Sequence, residues 1–535
     1  MKAPVGLLSD GTVCVSRWRG FAPTSSMQVS VEDEIRNHRL TDISYDMISG
    51  GNEREVRCKS LQIQHGHRVR GTAAPGWEND LHSKNDIKKK LYNYRNMKFF
   101  GRQNEIKELQ EIRNLSLQTA RFTIVTGRRR SGKTSLLIKA YEDVQDMLYF
   151  FVARKSEAEL CRDFIEEMTS KLQLPILGEV TRFADIFKYL LQLSKIRPIT
   201  LIIDEFQDFK RVNPSIFSDM QKIWDLNKQE AHINLVVCGS VYSLMNIIFK
   251  NNKQPLYGRQ TGEIKVTPFP PSVIKEILST YNPAYTNDDL LALYSYTGGV
   301  AEYVEMMMDA GATTKEQMTE RFIAKNSYFI YEGKNMLIEE FGKDYARYFE
   351  ILQLIASGYT TRGEIESIMK IELSGYLTKL ENDYSLISRY IPMFQKTNRN
   401  IRYQIEDNFL RVWFRYIYKY GYMIEVGANK KLKMVMDKSY TTYTGKVLER
   451  YFIAKMIESE EYTQIASWWD RKGENEIDII AADELELKVI FYEVKRQAKD
   501  INLGILKDKA EHFFQATGKF KKFDIGYQGL SMEDM

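Results

Sequence analysis

At a typical ~100–200 residues per domain, a chain of 535 residues should divide into three or four domains around separate or adjoining cores. Its 76 basic and 71 acidic side chains leave a net charge of +5, which permits a local nucleic-acid patch without arguing for one. Cys14, Cys58, Cys161 and Cys238 form no CxxC or Cys/His cluster, so neither a disulfide framework nor a zinc site is indicated. With no apolar run near the ~20 residues of a membrane span and no secretory leader, a cytoplasmic protein with no membrane partner is expected.

Residues 1–96 differ from the rest of the chain. Arginine outnumbers lysine nine to six there, whereas lysine leads 38 to 23 afterwards. They show no sustained period, and a poorly structured leader, or one created by a start site placed too far upstream, is expected; the alternative is a regulatory or DNA-contacting tail. From Met97, a turn and an amphipathic helix (MKFFGRQNEIKELQEI) open a β/α alternation. RFTIVTG reads as a buried strand, TSLLIKAYEDV as a helix and DMLYFFVAR as a strand. Two helices follow, SEAELCRDFIEEMTSKL and FADIFKYLLQLSKI, then the strands PITLIIDEF and INLVVCGS. Near-continuous apolar strands between helices predict a parallel sheet covered on both faces, over 97–270. Residues 271–339 read as a helical lid broken at Thr297-Gly298-Gly299, 340–425 as a helix-rich module ending in a strand pair, and 426–535 as mixed α/β. Cys161 and Cys238, in apolar stretches, are expected to be reduced core thiols.

Gly127-Arg128-Arg129-Arg130-Ser131-Gly132-Lys133-Thr134, followed by Ser135, fits GxxxxGK[ST] between a strand and a helix. The glycines let the backbone curl so that N–H groups face phosphate oxygens, and the helix N-terminus adds its dipole. Lys133 would reach the β- and γ-phosphates of ATP, and the Thr134 hydroxyl would ligate Mg²⁺. In Leu201-Ile-Ile-Asp204-Glu205, Asp204 leaves the core at a strand's carboxyl end, where it can hold Mg²⁺ through water, and Glu205 is placed to act as general base. Ser240, ending LVVCGS, reads either as a γ-phosphate sensor or as a strand-end turn serine. Arg259, in Pro255-Leu-Tyr-Gly-Arg259-Gln-Thr-Gly, reads either as an arginine finger, which would imply oligomerisation, or as a surface arginine.

These residues together resemble the archaeal-type AAA+ ATPases, a group within the STAND-like NTPases. The matching elements are Phe100-Gly101-Arg102-Gln-Asn-Glu105, the P-loop, LIIDEFQ, CGS, PLYGRQTG and TGGVAEY, over about 97–335. The resemblance implies that Gly101 and Arg102 close over the adenine. It also implies a winged helix followed by a restriction-endonuclease-like domain.

Both can be read from the residues. Tyr345–Ser357 has helical apolar spacing, and Thr361-x-x-Glu364 is a capping box opening a helix over Arg362–Lys370. Glu372–Asp383 reads as a third helix burying Leu373, Leu377 and Leu380. Ile387–Ile391 and Arg402–Ile405 can pair as a wing around Lys396–Asn400. The third helix sets one lysine against Glu372, Glu381 and Asp383, a poor match to a phosphate-lined groove, so a packing module is the favoured reading and any DNA contact should come from Lys396, Arg399 and Arg402. Farther on, Asp478 beside the strand Val489-Ile-Phe-Tyr-Glu493-Val-Lys495 resembles the PD-(D/E)xK nuclease core. Glu493 and Lys495, two apart on a strand, project from one face. Asp478 and Glu493 can then meet around a divalent ion with the Val494 carbonyl, Lys495 can stabilise developing charge, and Glu449, in a helix read over Gly445–Ile457, stands where an extra acid is usual. The expected whole is a multidomain α/β protein: a P-loop NTPase parallel sheet with helical lid, a winged helix and a C-terminal restriction-endonuclease-like α/β domain. The expected function is an ATP-driven switch acting on DNA; the alternative is a regulatory ATPase with an inactive C-terminal domain and a protein partner.

Overall fold

The computed structural model describes residues 5–7, 13–15, 44–50, 53–60, 99–173, 178–341, 345–395 and 401–535. In the leader, expected to be poorly structured, these are two antiparallel strand pairs, Val5–Leu7 with Val13–Val15 and Ser44–Gly50 with Glu53–Ser60; the wing tip with Lys396 and Arg399 lies outside the described residues.

Strands β1 (Arg121–Thr126), β2 (Met147–Phe151), β3 (Ile199–Asp204) and β4 (Ile233–Cys238) form the expected parallel sheet, and β5 (Gly262–Lys265) adds a fifth, in the order β2-β3-β4-β1-β5. Every residue of β3 and β4 is buried, which is why both read as unbroken apolar runs rather than alternating ones. One face is covered by α1 (Gln103–Ser116) and α2 (Lys133–Ala140), through Leu109, Leu136 and Leu137. Four helices cover the other face: α3 (Glu157–Leu172), α4 (Phe183–Leu193), α5 (Ile216–Asn227) and α6 (Tyr242–Lys250). Cys161 and Cys238 are buried and free, as expected.

Three features depart from the sequence reading. Strand β5, with only Ile264 buried, is too short for its period to show. Helices α5 and α6 were not assigned. Helix α2 stops at Ala140 rather than running to Val144, where Tyr141 leaves the helical path with its hydroxyl donating to the Leu109 carbonyl at 3.2 Å.

The lid comprises α7 (Pro271–Tyr281), α8 (Asn287–Thr297), α9 (Ala301–Asp309), α10 (Lys315–Ile323) and α11 (Tyr328–Phe341). The break falls at the two glycines, as expected. The next module holds α12 (Tyr345–Ser357), α13 (Arg362–Met369) opened by its capping box, and α14 (Ser374–Thr378), which widens into a π turn over Lys379–Asp383. Helix α14 starts later than Glu372 because the Glu372 carboxylate accepts the Ser374 amide from outside the helix. Leu373, Leu377 and Leu380 are buried, and β6 (Ile387–Tyr390) pairs antiparallel with β7 (Arg402–Ile405), completing the module of helices and a strand pair that the sequence reads as a winged helix.

After α15 (Asn408–Val412) and a π-helical stretch Trp413–Tyr418, one helix, α17, runs over Asn429–Ser459, with the short α16 (Gly421–Glu425) before it. Expected only from Gly445, α17 has 31 residues, and Leu432, Met436, Tyr440, Val447, Tyr451 and neighbours make one buried stripe along it. It leads into a sheet ordered β8 (Gln464–Trp469), β9 (Glu476–Asp483), β10 (Lys488–Val494) and β11 (Asp524–Leu530). The first three strands are antiparallel, and β11 is parallel to β10 after α18 (Leu503–Thr517). The lid, the winged-helix module, α17 and one face of this sheet share a continuous core from Ile274 to Met535. At its centre, Trp413 lies flat on α11 and donates its indole N–H to the Ile330 carbonyl at 3.0 Å. A Cβ on Gly333 would fall 2.3 Å from that ring, so only glycine fits there. No helix among the described residues is long and apolar enough to cross a membrane.

Candidate functional site

The P-loop leaves the carboxyl end of β1. Gly127 is packed so tightly that a Cβ would meet the Val266 carbonyl at 2.6 Å and Ser131 Oγ at 2.9 Å. Arg130 and Gly132 take left-handed backbone angles, curling the loop before α2 begins at Lys133. Lys133 Nζ is folded back onto the Gly127 and Arg128 carbonyls at 2.9 and 3.0 Å. Burial holds its pKa below the ordinary lysine value, against the pull of Glu205 and Asp204. Ser131 Oγ is buried without a hydrogen-bond partner inside the loop, a donor left for an incoming oxygen. Ser135 follows Thr134 on the first turn of α2 and is half-buried.

Asp204 ends β3, and its carboxylate collects four donors. Thr134 Oγ1 and Tyr149 Oη each donate to Oδ2 at 2.7 Å, while the Glu205 amide at 2.8 Å and Cys238 Sγ at 3.0 Å donate to Oδ1. The Thr134–Asp204 contact is the pairing that a magnesium ion beside a nucleotide needs, a hydroxyl and a carboxylate at the mouth of the loop, so the residues fit Mg²⁺. Glu205 has the left-handed φ of 52°, a strained position of the kind found where side-chain placement matters. Its Oε2 accepts Ser240 Oγ at 2.7 Å, the Ser240 amide at 3.3 Å and Gln207 Nε2 at 2.5 Å. The structure therefore brings Lys133, Thr134, Asp204, Glu205 and Ser240 together. It adds Tyr149, Gln207 and Cys238, which the sequence reading missed. Tyr149 was detectable only through register, since Phe151 pairs with Asp204 and Tyr149 lies two residues back on the same strand.

Arg102 also reaches the loop. It sits over the Phe269 ring, pairs with Glu105 at 2.9 Å and donates to the Ser131 and Thr267 carbonyls, next to the left-handed Gly101. The loop arginines turn outward, to the other modules. Arg128 pairs with Asp407 at 3.0 Å and donates to the Ser385 carbonyl at 2.5 Å, both in the winged-helix module. Arg130 pairs with Glu332 at 2.6 Å and with Glu302, and lies over the Tyr328 ring, all in the lid. Beside Ser240, Glu340 of α11 accepts the Tyr242 amide at 3.1 Å and Ser243 Oγ at 2.6 Å. Arg129 faces the same cleft as Ser240 and Glu340.

Arg259 is not brought to this site. It pairs with Asp225 at 3.3 Å just ahead of β5, where Thr261 bonds Phe122 at the start of β1, the end of the sheet remote from the P-loop. Any finger role would serve another copy of the chain. Arg402 is likewise engaged internally, pairing with Glu476 at 3.1 Å and stacking over Trp469, so it fastens the wing to the C-terminal sheet rather than presenting itself to a phosphate.

Asp478 on β9 and Glu493 on β10 converge with Lys495. Lys495 Nζ is 3.3 Å from Glu493 Oε1 and 3.6 Å from Asp478 Oδ2, and it donates to the Val494 carbonyl at 3.4 Å. Asp478 also accepts the Val494 amide, and Glu493 accepts the Asn502 amide, with Lys509 at 4.0 Å. Glu449 on α17 pairs with Lys446 at 3.1 Å; burial and the charge of Asp478 push its pKa up to about 7, with Lys446 opposing. Among the described residues no three His, Cys, Asp or Glu side chains form a ready metal cluster. Two carboxylates and a carbonyl still fit Mg²⁺, which commonly keeps several waters and takes only one or two protein carboxylates.

Residues 99–307 match the family described as an ATPase domain predominantly from Archaea. The chain carries an archaeal-type P-loop ATPase domain. Downstream of this ATPase domain, residues 413–509 match a family described as archaeal and bacterial proteins of unknown function, and that segment contains Glu449, Asp478, Glu493 and Lys495. An uncharacterized protein of Methanocaldococcus jannaschii, MJECL04, is 29% identical over 407 residues, covering 74% of this chain and 87% of its own length. A second from the same organism, MJ0424, is 36% identical over 56 residues, covering 10% of this chain and 54% of its own. Among solved structures, the Walker-type ATPase of Pyrococcus abyssi is similar at a TM-score of 0.46 and 19% identity, covering 59% of this chain and 96% of that one. The ORC2 protein of Aeropyrum pernix is similar at 0.43 and 13%, covering 61% and 94%.

Proposed function

We propose that this chain is an Mg-ATP-hydrolysing switch whose nucleotide state is read by the lid and winged-helix modules and delivered to the C-terminal sheet. The observation that carries the reading is the double use of the P-loop. Lys133 is folded back onto the loop's own Gly127 and Arg128 carbonyls, while Arg128 and Arg130 of the same eight residues are ion-paired to Asp407, Glu332 and Glu302 in the other modules. A loop that tightens on phosphates must pull on those pairs.

On this reading, Lys133 leaves the two carbonyls for the β- and γ-phosphates, and Thr134 and Asp204 hold Mg²⁺, with Tyr149 fixing the carboxylate. Bound Mg²⁺ supplies charge neutralisation at the β- and γ-phosphate oxygens. Glu205 accepts the proton of the attacking water on Oε1 while Ser240 and Gln207 anchor Oε2, so Ser240 acts as positioning residue as much as sensor. Gly101 and Arg102 border the base side of the nucleotide.

The proposed output is a nuclease-like, DNA-interacting domain in which Asp478 and Glu493 hold a divalent ion and Lys495 stabilises charge on the scissile phosphate. Support comes from the convergence of those three residues across two strands. The second reading, an inactive domain with a protein partner, draws support from the ion pairs that already occupy both carboxylates and from Glu372, Glu381 and Asp383 flanking α14. Magnesium-dependent nicking of plasmid DNA by the whole protein, with and without ATP, tests the choice: loss of nicking in Glu493→Ala supports the first reading, and absence of nicking under every condition supports the second.

A further inference from the structure

Between the winged-helix module and α17 lies an open cavity of about 240 Å³. Arg411 and Arg415 line it from the stretch after β7, Lys446 from α17, and Tyr403 and Tyr443 form aromatic walls. Arg450 adjoins through Gln404, whose Oε1 takes a bond from Arg450 at 3.1 Å and from Arg411 at 3.3 Å.

The unusual feature is how these cations are partnered. Arg411 Nε donates to the Ile405 carbonyl at 2.9 Å, Arg415 Nη1 to the Ala356 carbonyl at 3.2 Å, and Arg450 Nη2 to the Glu406 carbonyl at 2.6 Å. Neutral oxygens orient all three, and among the described residues none of the three has a carboxylate within 4.0 Å. Arg128, Arg130 and Arg496, also largely buried, each have one: Asp407, Glu332 and Asp288 respectively. The Glu406 side chain, exposed outside the cavity, is the carboxylate that acts on Arg411 at longer range. Burial, and next the charge of Arg450, push the Arg411 pKa down to about 9, the mark of a cation short of negative charge. Arg411 and Arg415 are also four apart on a helical stretch, a like-charge spacing that costs stability unless something offsets it.

We infer that this cavity binds a phosphate group, held by the guanidinium forks of Arg411 and Arg415 with Lys446 at the rim. Two oriented forks and an ammonium match a dianion with several acceptor oxygens better than a single carboxylate, which one arginine satisfies. The volume lies below the ~300–1,000 Å³ of drug-sized sites and suits one phosphate with at most a small organic substituent. That group is supplied either by a free phosphorylated small molecule or by a nucleic-acid backbone passing the cleft. Lys446 also pairs with Glu449 and Glu476, so a bound phosphate sits beside the C-terminal carboxylates. The inference does not depend on the ATPase or nuclease proposals.

The test uses the full chain carrying Lys133→Ala, so that phosphate binding at the P-loop is suppressed. Inorganic phosphate is titrated by calorimetry at constant ionic strength into this protein and into versions that also carry Arg415→Gln, Arg415→Lys or Lys446→Gln. Arg415→Gln should weaken binding about tenfold or more, as expected for losing a charge-assisted bidentate contact. Arg415→Lys should recover part of the loss, and the exposed Lys446→Gln should weaken binding even if the arginine variants fold poorly. A short DNA oligonucleotide is then competed against phosphate. Displacement by phosphate together with the same sensitivity to Arg415→Gln identifies a nucleic-acid backbone; phosphate binding that DNA does not disturb identifies a free phosphorylated ligand. No phosphate binding in the Lys133→Ala protein, or equal affinity in all the variants, overturns the inference.

Discussion

Removing the Arg128 side chain should release the winged-helix module from the ATPase domain. Its guanidinium pairs with Asp407, whose side chain is 5% exposed against 24% for Arg128. Breaking such a pair from one side typically costs about 3–5 kcal/mol, because the remaining charge is stranded. Asp407 keeps the Leu410 amide at 3.1 Å, and Arg128 is partly solvated, which together reduce the cost to about 2 kcal/mol, roughly thirtyfold in the docking equilibrium. Hydrogen exchange of the wing strands Ile387–Tyr390 and Arg402–Ile405 should accelerate accordingly in Arg128→Ala. Asp407→Asn, which leaves every P-loop side chain in place, should produce the same acceleration, and the double variant should be clearly less than additive. Unchanged exchange in both single variants, or full additivity, would refute the idea that the pair couples loop and module.

Three further outcomes are expected. Gly333→Ala drives a methyl into the Trp413 ring and should cost about 1–3 kcal/mol in denaturant unfolding, whereas Gly363→Ala, with open space around it, should cost far less. Glu449 has a folded-state pKa raised from 4.5 to about 7, so the protonated form is favoured on folding; stability should fall as pH rises through that window, and Glu449→Gln should flatten the fall in thermal melts. If Asp478 and Glu493 share a divalent ion, millimolar Mn²⁺ should raise the melting temperature of the whole protein, and Asp478→Ala should remove the increment; an equal response in both would argue against a metal there. The whole protein is needed, because cutting near Ser439 would sever α17 and strip Leu432 and Met436 from the shared core.

Much of the ATPase domain was legible because its chemistry is local in sequence. The P-loop glycines, Lys133 and Thr134 act within eight residues, and Asp204-Glu205 announce themselves at the end of an apolar strand. What escaped notice depends on register and on contacts between distant segments. Tyr149 looks like any aromatic in a strand until β2 and β3 are paired, and Gln207 becomes an anchor only where the backbone turns left-handed at Glu205. The arginines show the same limit. Nothing in the run Arg128–Arg130 marks which side chains leave the loop, yet Arg128 and Arg130 face Asp407 and Glu332, hundreds of residues away in the chain. Conversely, Arg259 lay in a suggestive loop that the parallel sheet carries to the far end of β1. Helix α17 was underestimated because its first half sets Leu432, Met436 and Tyr440 among Lys430, Lys431, Lys433 and Lys438 and other polar residues, which obscures the buried stripe.

The central claim, that Gly127–Ser135 with Asp204 and Glu205 form an Mg-ATP hydrolysis site, is tested most directly by single-turnover ATP hydrolysis alongside nucleotide binding. Glu205→Gln should bind ATP with nearly the parent affinity and lose about a hundredfold or more in the hydrolysis rate, as removal of a general base does. Lys133→Ala should lose binding itself. Parent-like hydrolysis in Glu205→Gln, or undiminished ATP binding in Lys133→Ala, would contradict the account.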